Sequence, residues 1–307
     1  NLKRFIINIL QGIIIGIANI VPGVSGASLA FILGVYQNII NITTRLDLHL
    51  LKLIFAGQFK KVKDYISLKF LSAISIGIII SFITLARILE YLLNHDHFEI
   101  LTWSYFFGII IGSIYYISQF ISKWRLQEWL YFILGLFISL SMLFIEPSEE
   151  NKNLVFIFLC GIIGAIGMIT PGLSGSYILE LLGNFELLLV DTITHLTSFN
   201  FDNNYLDSIV IFIIFLIGQL VGLILFSRVI KWLIQTYKNI TFSVISGFIT
   251  GSLIHIWPWQ KKSKDLLINN LEIPEITIQN IYAGICIFIG IISIICIESL
   301  AKKIKDV

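Results

Sequence analysis

Gly12–Tyr36 reads GIIIGIANIVPGVSGASLAFILGVY, and Gly161–Phe185 reads GIIGAIGMITPGLSGSYILELLGNF. At an offset of 149 residues, Gly12 matches Gly161 and Pro22-Gly23 matches Pro171-Gly172. Ser25-Gly26 matches Ser174-Gly175, and Leu33-Gly34 matches Leu182-Gly183. The likeness continues downstream with drifting offsets. Gly77 matches Gly218, Arg87 matches Arg228, and Gly108, Gly112 and Ser113 match Gly247, Gly251 and Ser252. Four matched blocks in one order point to duplication of a structural unit. The halves are 1–147 and 148–307, divided at the polar stretch around Glu146-Pro147-Ser148-Glu149-Glu150.

The apolar runs that carry these motifs set the class of the protein. The chain is 57% hydrophobic and 13% charged over 307 residues, against about 25% charged in an ordinary soluble domain. Runs such as Ile74–Ala86, Leu130–Ile145, Ile209–Phe226 and Ile281–Ile297 approach the roughly 20 residues that a spanning helix needs. They are rich in Ile, which favours strands in water. In lipid the backbone must satisfy its own hydrogen bonds, so helix is expected. The expected fold is an all-α integral membrane protein of two inverted repeats, each a re-entrant helical hairpin followed by three transmembrane helices.

Charge distinguishes that hairpin from two full spans. The arms flanking the first motif, 5–21 and 27–42, are each short for an independent crossing. With hairpins and a cytoplasmic N-terminus, 16 of the 21 basic residues, from Lys3 and Arg4 to Lys305, fall on the cytoplasmic side. The 191–208 loop, which has no Lys or Arg, falls outside. This matches the excess of Lys and Arg in cytoplasmic loops. Full spans would move that loop inside. Three crossings per half then invert the second half relative to the first, the arrangement of many secondary transporters. Both termini are expected on the cytoplasmic side of a multi-pass membrane protein. Segment 46–66, with Lys52, Lys60, Lys61 and Lys63 among apolar residues, reads as a helix lying on the anionic membrane surface.

The motif centres suggest chemistry. Proline removes an N–H and, with glycine, breaks the helix. The freed backbone groups must face protein or a polar cavity. A helix starting at Ser25 or Ser174 would offer N–H groups and a hydroxyl to an anion. The candidate anion site is therefore Pro22, Gly23, Ser25, Gly26, Pro171, Gly172, Ser174, Gly175 and Ser176. The plainer reading is small-residue helix packing. Arg87 and Arg228 end apolar runs at matched positions and suit bidentate phosphate binding; snorkelling to headgroups is their plainer reading. Glu180 is either a carboxylate that carries a proton or a contact to the polar end of a neighbouring helix. Cys160, Cys286 and Cys296, and the histidines, have no metal-ligand spacing, and His255 reads as an ordinary boundary residue. No cofactor, metal or nucleic-acid partner is expected.

At these residues the chain resembles a known family. Gly16-Ile-Ala-Asn-Ile-Val-Pro-Gly-Val-Ser-Gly26 with Leu33-Gly34-Val-Tyr36, and Pro171-Gly-Leu-Ser-Gly-Ser176 with Leu182-Gly183, are similar to the paired signatures of the bacterial polyprenyl-phosphate (undecaprenyl phosphate) transporter family, PopT. The resemblance covers nearly the whole chain. It implies a flippase that returns undecaprenyl phosphate from the outer to the cytoplasmic leaflet of the bacterial cytoplasmic membrane, for reuse in cell-wall and surface-polysaccharide synthesis. Ala27 and Glu180 depart from the expected pattern of a second glycine and an apolar residue. Two alternatives stand beside it. One is a transporter of small anions. The other is an undecaprenyl-diphosphate phosphatase, an enzyme with similar hairpins that carries an Arg where Gly26 and Gly175 stand here. Such chemistry also needs clustered carboxylates, and no acidic residue precedes Asp47.

Overall fold

The computed structural model describes residues 2–20, 24–93, 95–193, 195, 203–260 and 271–305, all but a few of them helical or in short connections. In the first half α1 (Leu2–Ile20) leads to the break, followed by α2 (Gly26–Ile32) and α3 (Tyr36–Thr44). Two short helices, α4 (Leu48–Phe55) and α5 (Phe59–Tyr65), connect to α6 (Leu68–Leu93), α7 (Asp96–Ser118) and α8 (Leu126–Ser141). In the second half come α9 (Leu154–Ile169), α10 (Gly175–Leu181), a π-helical turn at Glu186–Asp191, α11 (Asn203–Thr236), α12 (Lys238–Ser252) and α13 (Ile278–Lys305). Six described helices are long and apolar enough to cross a membrane, and two bent pairs raise this to as many as eight.

Helix pairing follows the repeat. α1 packs along α6 and α9 along α11, each within its own half. α7 packs along α13 and α8 along α12, so the last helix of each half pairs with the last but one of the other. Glycines make these contacts close. A methyl group on Gly77 would sit 2.8 Å from the Gly12 Cα, and one on Gly218 would sit 3.2 Å from the Gly161 Cα. These are the residues matched in the sequence. The exchanged pairs use Gly108 against Gly290 and Gly135 against the Val244–Phe248 turn next to Gly247. Gly135 and Gly290 therefore form a further matched pair that the sequence alone did not reveal. With no hydrophobic drive between helices in lipid, close backbone approach supplies the packing energy.

The second arm of each hairpin is not the single helix expected over 27–42. It ends after seven residues at Gly34, whose φ of 71° places it in the left-handed region. The Gly34 N–H bonds to the Phe31 carbonyl and the Val35 N–H to the Ala30 carbonyl, both at 3.0 Å. This is a Schellman ending, which glycine permits without Cβ strain. The chain then turns by 114° into α3. Gly183, φ 73°, repeats the ending after α10 with bonds from Gly183 to Glu180 and Asn184 to Leu179. The matched Leu-Gly pairs are thus helix stops.

Segment 46–66 is likewise two helices, parted at Gly57, φ 66°. Asp47 caps α4 by accepting the Leu50 N–H at 2.9 Å. That bond is the main reason its carboxylate titrates below the usual range. Leu48, Leu51, Phe55 and Phe59 are exposed here, as suits a segment lying on a membrane surface.

Candidate functional site

The two hairpin tips meet. The Ser25 hydroxyl donates to the Thr170 carbonyl at 3.4 Å, and the Gly172 N–H donates to the Ser28 hydroxyl at 2.9 Å. The Tyr36 hydroxyl, at the start of α3, donates to the Ile169 carbonyl at 2.8 Å. The second tip follows from its sequence. Thr170 ends α9, Pro171 cannot continue the ladder, and Gly172 takes φ 87°. Of the first tip, Pro22 and Gly23 lie outside the described residues; Val24, Ser25 and all of α2 are buried.

Ser25 and Ser174 both occupy N-cap positions with extended backbone, yet neither side chain caps its helix. Ser25 is spent on the opposite tip. Ser174 pairs with Ser176 at 2.7 Å between hydroxyls. The helices they precede have only seven residues each, so little macrodipole accumulates behind them. Gly26 and Gly175 have packing roles. A methyl group on Gly26 would come within 2.7 Å of the Asn19 amide carbon, and one on Gly167 would come within 2.8 Å of the Gly175 Cα. Gly167 and Gly175 thus let the two arms of the second hairpin touch.

The arginines follow the glycine contacts of α1–α6 and α9–α11 along α6 and α11. Gly16 faces Ser81 and Gly222 faces Ala165, each one turn beyond the glycine contacts already described. In both pairs the helices therefore run parallel. Six residues beyond Ser81 is Arg87, and six beyond Gly222 is Arg228, roughly 9 Å farther along each helix at 1.5 Å per residue. Arg228 is exposed and lies roughly 80° around α11 from Gly218 at 3.6 residues per turn, so it points to the side of α9. The Arg87 side chain lies outside the described part. Glu180 is exposed rather than buried. It lines an open cavity of about 600 Å³ with Glu150, Glu186 and Ser176.

Two further cavities flank the tips. Beside the second lies a small one, of about 20 Å³, whose walls are mostly carbon (Met142, Leu173 and Phe248 among them) with Ser139, Ser174, Tyr177, Ser252 and His255 at its edge. The Ser139 hydroxyl and both ring nitrogens of His255 are buried there without a direct hydrogen bond of good geometry among the described residues. The Tyr177 and His255 rings pack edge to face at 4.5 Å between centroids. Beside the first tip lies an apolar cavity of about 510 Å³, walled by α1, α2, α6, α7 and α13. Sequence reasoning missed Ser139 entirely and gave His255 no role. The only signal was that His255 falls one turn after Ser252 of the repeated Gly-x-x-x-Gly-Ser block.

Comparison with known proteins gives this geometry a family. The profile of the undecaprenyl phosphate translocase-like family matches residues 15–272. A polyprenyl-phosphate transporter of Vibrio cholerae is 32% identical over 252 residues, 82% of this chain and 77% of its own length. A polyprenyl-phosphate transporter of Staphylococcus aureus is 28% identical over 264 residues, 82% of this chain and 86% of its own length. No solved structure matches significantly. With a match spanning both Pro-Gly-x-Ser-Gly motifs and three of the four helices that exchange partners, the chain belongs to the undecaprenyl phosphate translocase-like family.

Proposed function

We propose that this protein is a transporter that returns undecaprenyl phosphate, or a closely related polyprenyl phosphate, from the outer to the cytoplasmic leaflet of the bacterial cytoplasmic membrane. The observation that carries the reading is the contact between two repeated Pro-Gly-x-Ser-Gly tips, in a chain whose relatives are named polyprenyl-phosphate transporters. The halves, 1–147 and 148–307, are inverted, and both termini are cytoplasmic. The exchange of partners by α7, α8, α12 and α13 supports that symmetry.

The headgroup phosphate binds at the tips, with Ser25-Gly26 on one side and Ser174-Gly175-Ser176 on the other. Arg87 and Arg228, beyond the glycine contacts on α6 and α11, supply charge. An unpaired phosphate in a low-dielectric core is costly, so fixed donors are required. The tips are hydrogen-bonded to each other here; the lipid phosphate takes over those donors when they part. The prenyl tail stays in lipid, and the apolar cavity beside the first tip gives it a lateral entry. Glu180, exposed at the mouth of an open cavity, is placed to exchange protons with water if transport is proton-coupled.

The test is transport in proteoliposomes. Purified protein should move polyprenyl phosphate between leaflets and should not release phosphate from undecaprenyl diphosphate, with or without divalent metal. Sustained phosphate release at enzymic turnover would overturn the reading in favour of the phosphatase. Topology has its own check: a cysteine at position 200, in a background without native cysteines, should react with an impermeant reagent in intact cells. Reaction only after permeabilisation would remove the inverted arrangement.

A further inference from the structure

The small cavity behind the second tip is walled mostly by carbon, yet it borders two side chains whose hydrogen-bonding capacity the protein does not use up. Ser252 donates to the Ile249 carbonyl at 2.8 Å, and Tyr177 donates to the Met142 carbonyl at 3.2 Å. Those donors are committed. Ser139 is only 1% exposed, and its hydroxyl has no hydrogen-bond partner among the described residues. Neither ring nitrogen of His255 makes a direct hydrogen bond of good geometry among the described residues, although the backbone of Ser252 interacts with the ring. An unpaired buried polar group costs about 1–3 kcal/mol, so two such side chains in one cavity mark a place where something polar binds.

Size and donor count define that ligand. A volume of about 20 Å³ accommodates one water-sized atom. The imidazole offers at least one N–H in either charge state, and Ser139 offers an O–H. The cavity thus suits a single oxygen that accepts two hydrogen bonds. It adjoins Gly172, Leu173 and Ser174 of the second tip, where the proposed function places a phosphate.

We propose that one phosphoryl oxygen of the headgroup lodges in this cavity, accepting hydrogen bonds from His255 and Ser139, while the remaining oxygens stay at the tip by Ser174 and Ser176. This rests on the transporter reading and adds two binding residues to it. It makes the headgroup site unequal in the two halves, since the positions matched to Ser139 and His255 are Ile294 and Tyr116. His255 and Ser139 are binding residues here, and no bond to phosphorus forms or breaks.

The experiment measures equilibrium binding of farnesyl phosphate, farnesol and inorganic phosphate to the full-length protein in nanodiscs. His255→Phe keeps a ring against Tyr177 and removes both nitrogens; Ser139→Ala removes one oxygen with little change of shape. Each should weaken farnesyl phosphate binding by about tenfold, the loss of one hydrogen bond to a charged group, and leave farnesol binding unchanged. Unchanged farnesyl phosphate affinity in a folded Ser139→Ala protein would overturn the proposal, leaving the cavity to an ordered water. That variant decides the matter even if His255→Phe does not fold. Inorganic phosphate bound as tightly as farnesyl phosphate, and equally sensitive to both changes, would overturn the lipid headgroup as ligand. No binding of farnesyl phosphate by the unaltered protein would overturn the transporter reading itself, and this inference with it.

Discussion

Beside the first hairpin tip the protein has a cavity of about 510 Å³ lined almost wholly by apolar side chains; beside the second it has one of about 20 Å³ whose wall mixes Met142, Leu173 and Phe248 with hydroxyls and a histidine. The two share matched positions. Val24, Ile109, Ile294 and Ile297 in the first correspond to Leu173, Phe248, Ser139 and Met142 in the second. The helix contacts around them are the same, glycine against glycine in α1–α6 and α9–α11. The matched segments thus share a backbone frame while their pockets differ. A lipid that is apolar for most of its length and anionic at one end needs such unequal surroundings, because a site suited to one end repels the other.

The frame should fail equally in both halves. Gly77→Leu and Gly218→Leu each drive a side chain into a neighbouring backbone carbonyl, that of Ile9 or Phe158. Overpacking costs about 1–3 kcal/mol where side chains can yield, and more where backbone must move. Both variants should lose the monodisperse folded peak in detergent, or unfold at a markedly lower temperature. A large effect at only one of them would break the equivalence of the halves.

The arginines should also behave alike despite the unequal pockets. Arg87→Ala and Arg228→Ala should each abolish transport in proteoliposomes while the protein stays folded and inserted. Lys at either position should rescue poorly, since an ammonium cannot bind phosphate through a rigid fork. Normal transport by both Ala variants would make the arginines headgroup anchors and leave the site to the tips.

The pockets should then separate by ligand. Ala18, fully buried on the wall of the apolar cavity, can be enlarged to Phe. Ala18→Phe should slow transport of a long-chain polyprenyl phosphate by about tenfold, in line with overpacking of 1–3 kcal/mol, and should spare the binding of farnesyl phosphate. Equal loss for both lipids would place the headgroup, not the tail, beside this cavity. The smallest effect is expected at Ser25→Ala. Its hydroxyl bond to Thr170 is long, 3.4 Å, and backbone donors remain, so transport should fall by less than about fivefold, under one ordinary hydrogen bond.

Where sequence and structure diverged, the cause was local backbone geometry or long-range approach. The arm at 27–42 looked continuous because hydropathy does not change across Leu33-Gly34, yet a single positive φ ends the helix. The surface segment 46–66 divides at Gly57 for the same reason. Glu180 has apolar neighbours in the sequence, but α10 buries Ile178 and Leu179 while Glu180 lies on its exposed side and shares the lining of an open cavity with Glu150 and Glu186. Ser139 had no legible signal. It is one serine in an apolar helix, and its importance comes from α12 and the second tip, which are distant in the chain.

The sequence by itself determined the all-helical membrane class, through composition and the length of its apolar runs. It also marked the matched glycines, which recur because close helix approach admits no side chain. It located both hairpin breaks, because proline and glycine act on their own backbone whatever surrounds them. Only the tertiary structure decided which helix of one half pairs with which of the other, that the two tips touch, and that Ser139 and His255 share a cavity. Those outcomes depend on contacts between segments up to 188 residues apart, and no local periodicity encodes which buried polar atoms are left without partners once such segments pack.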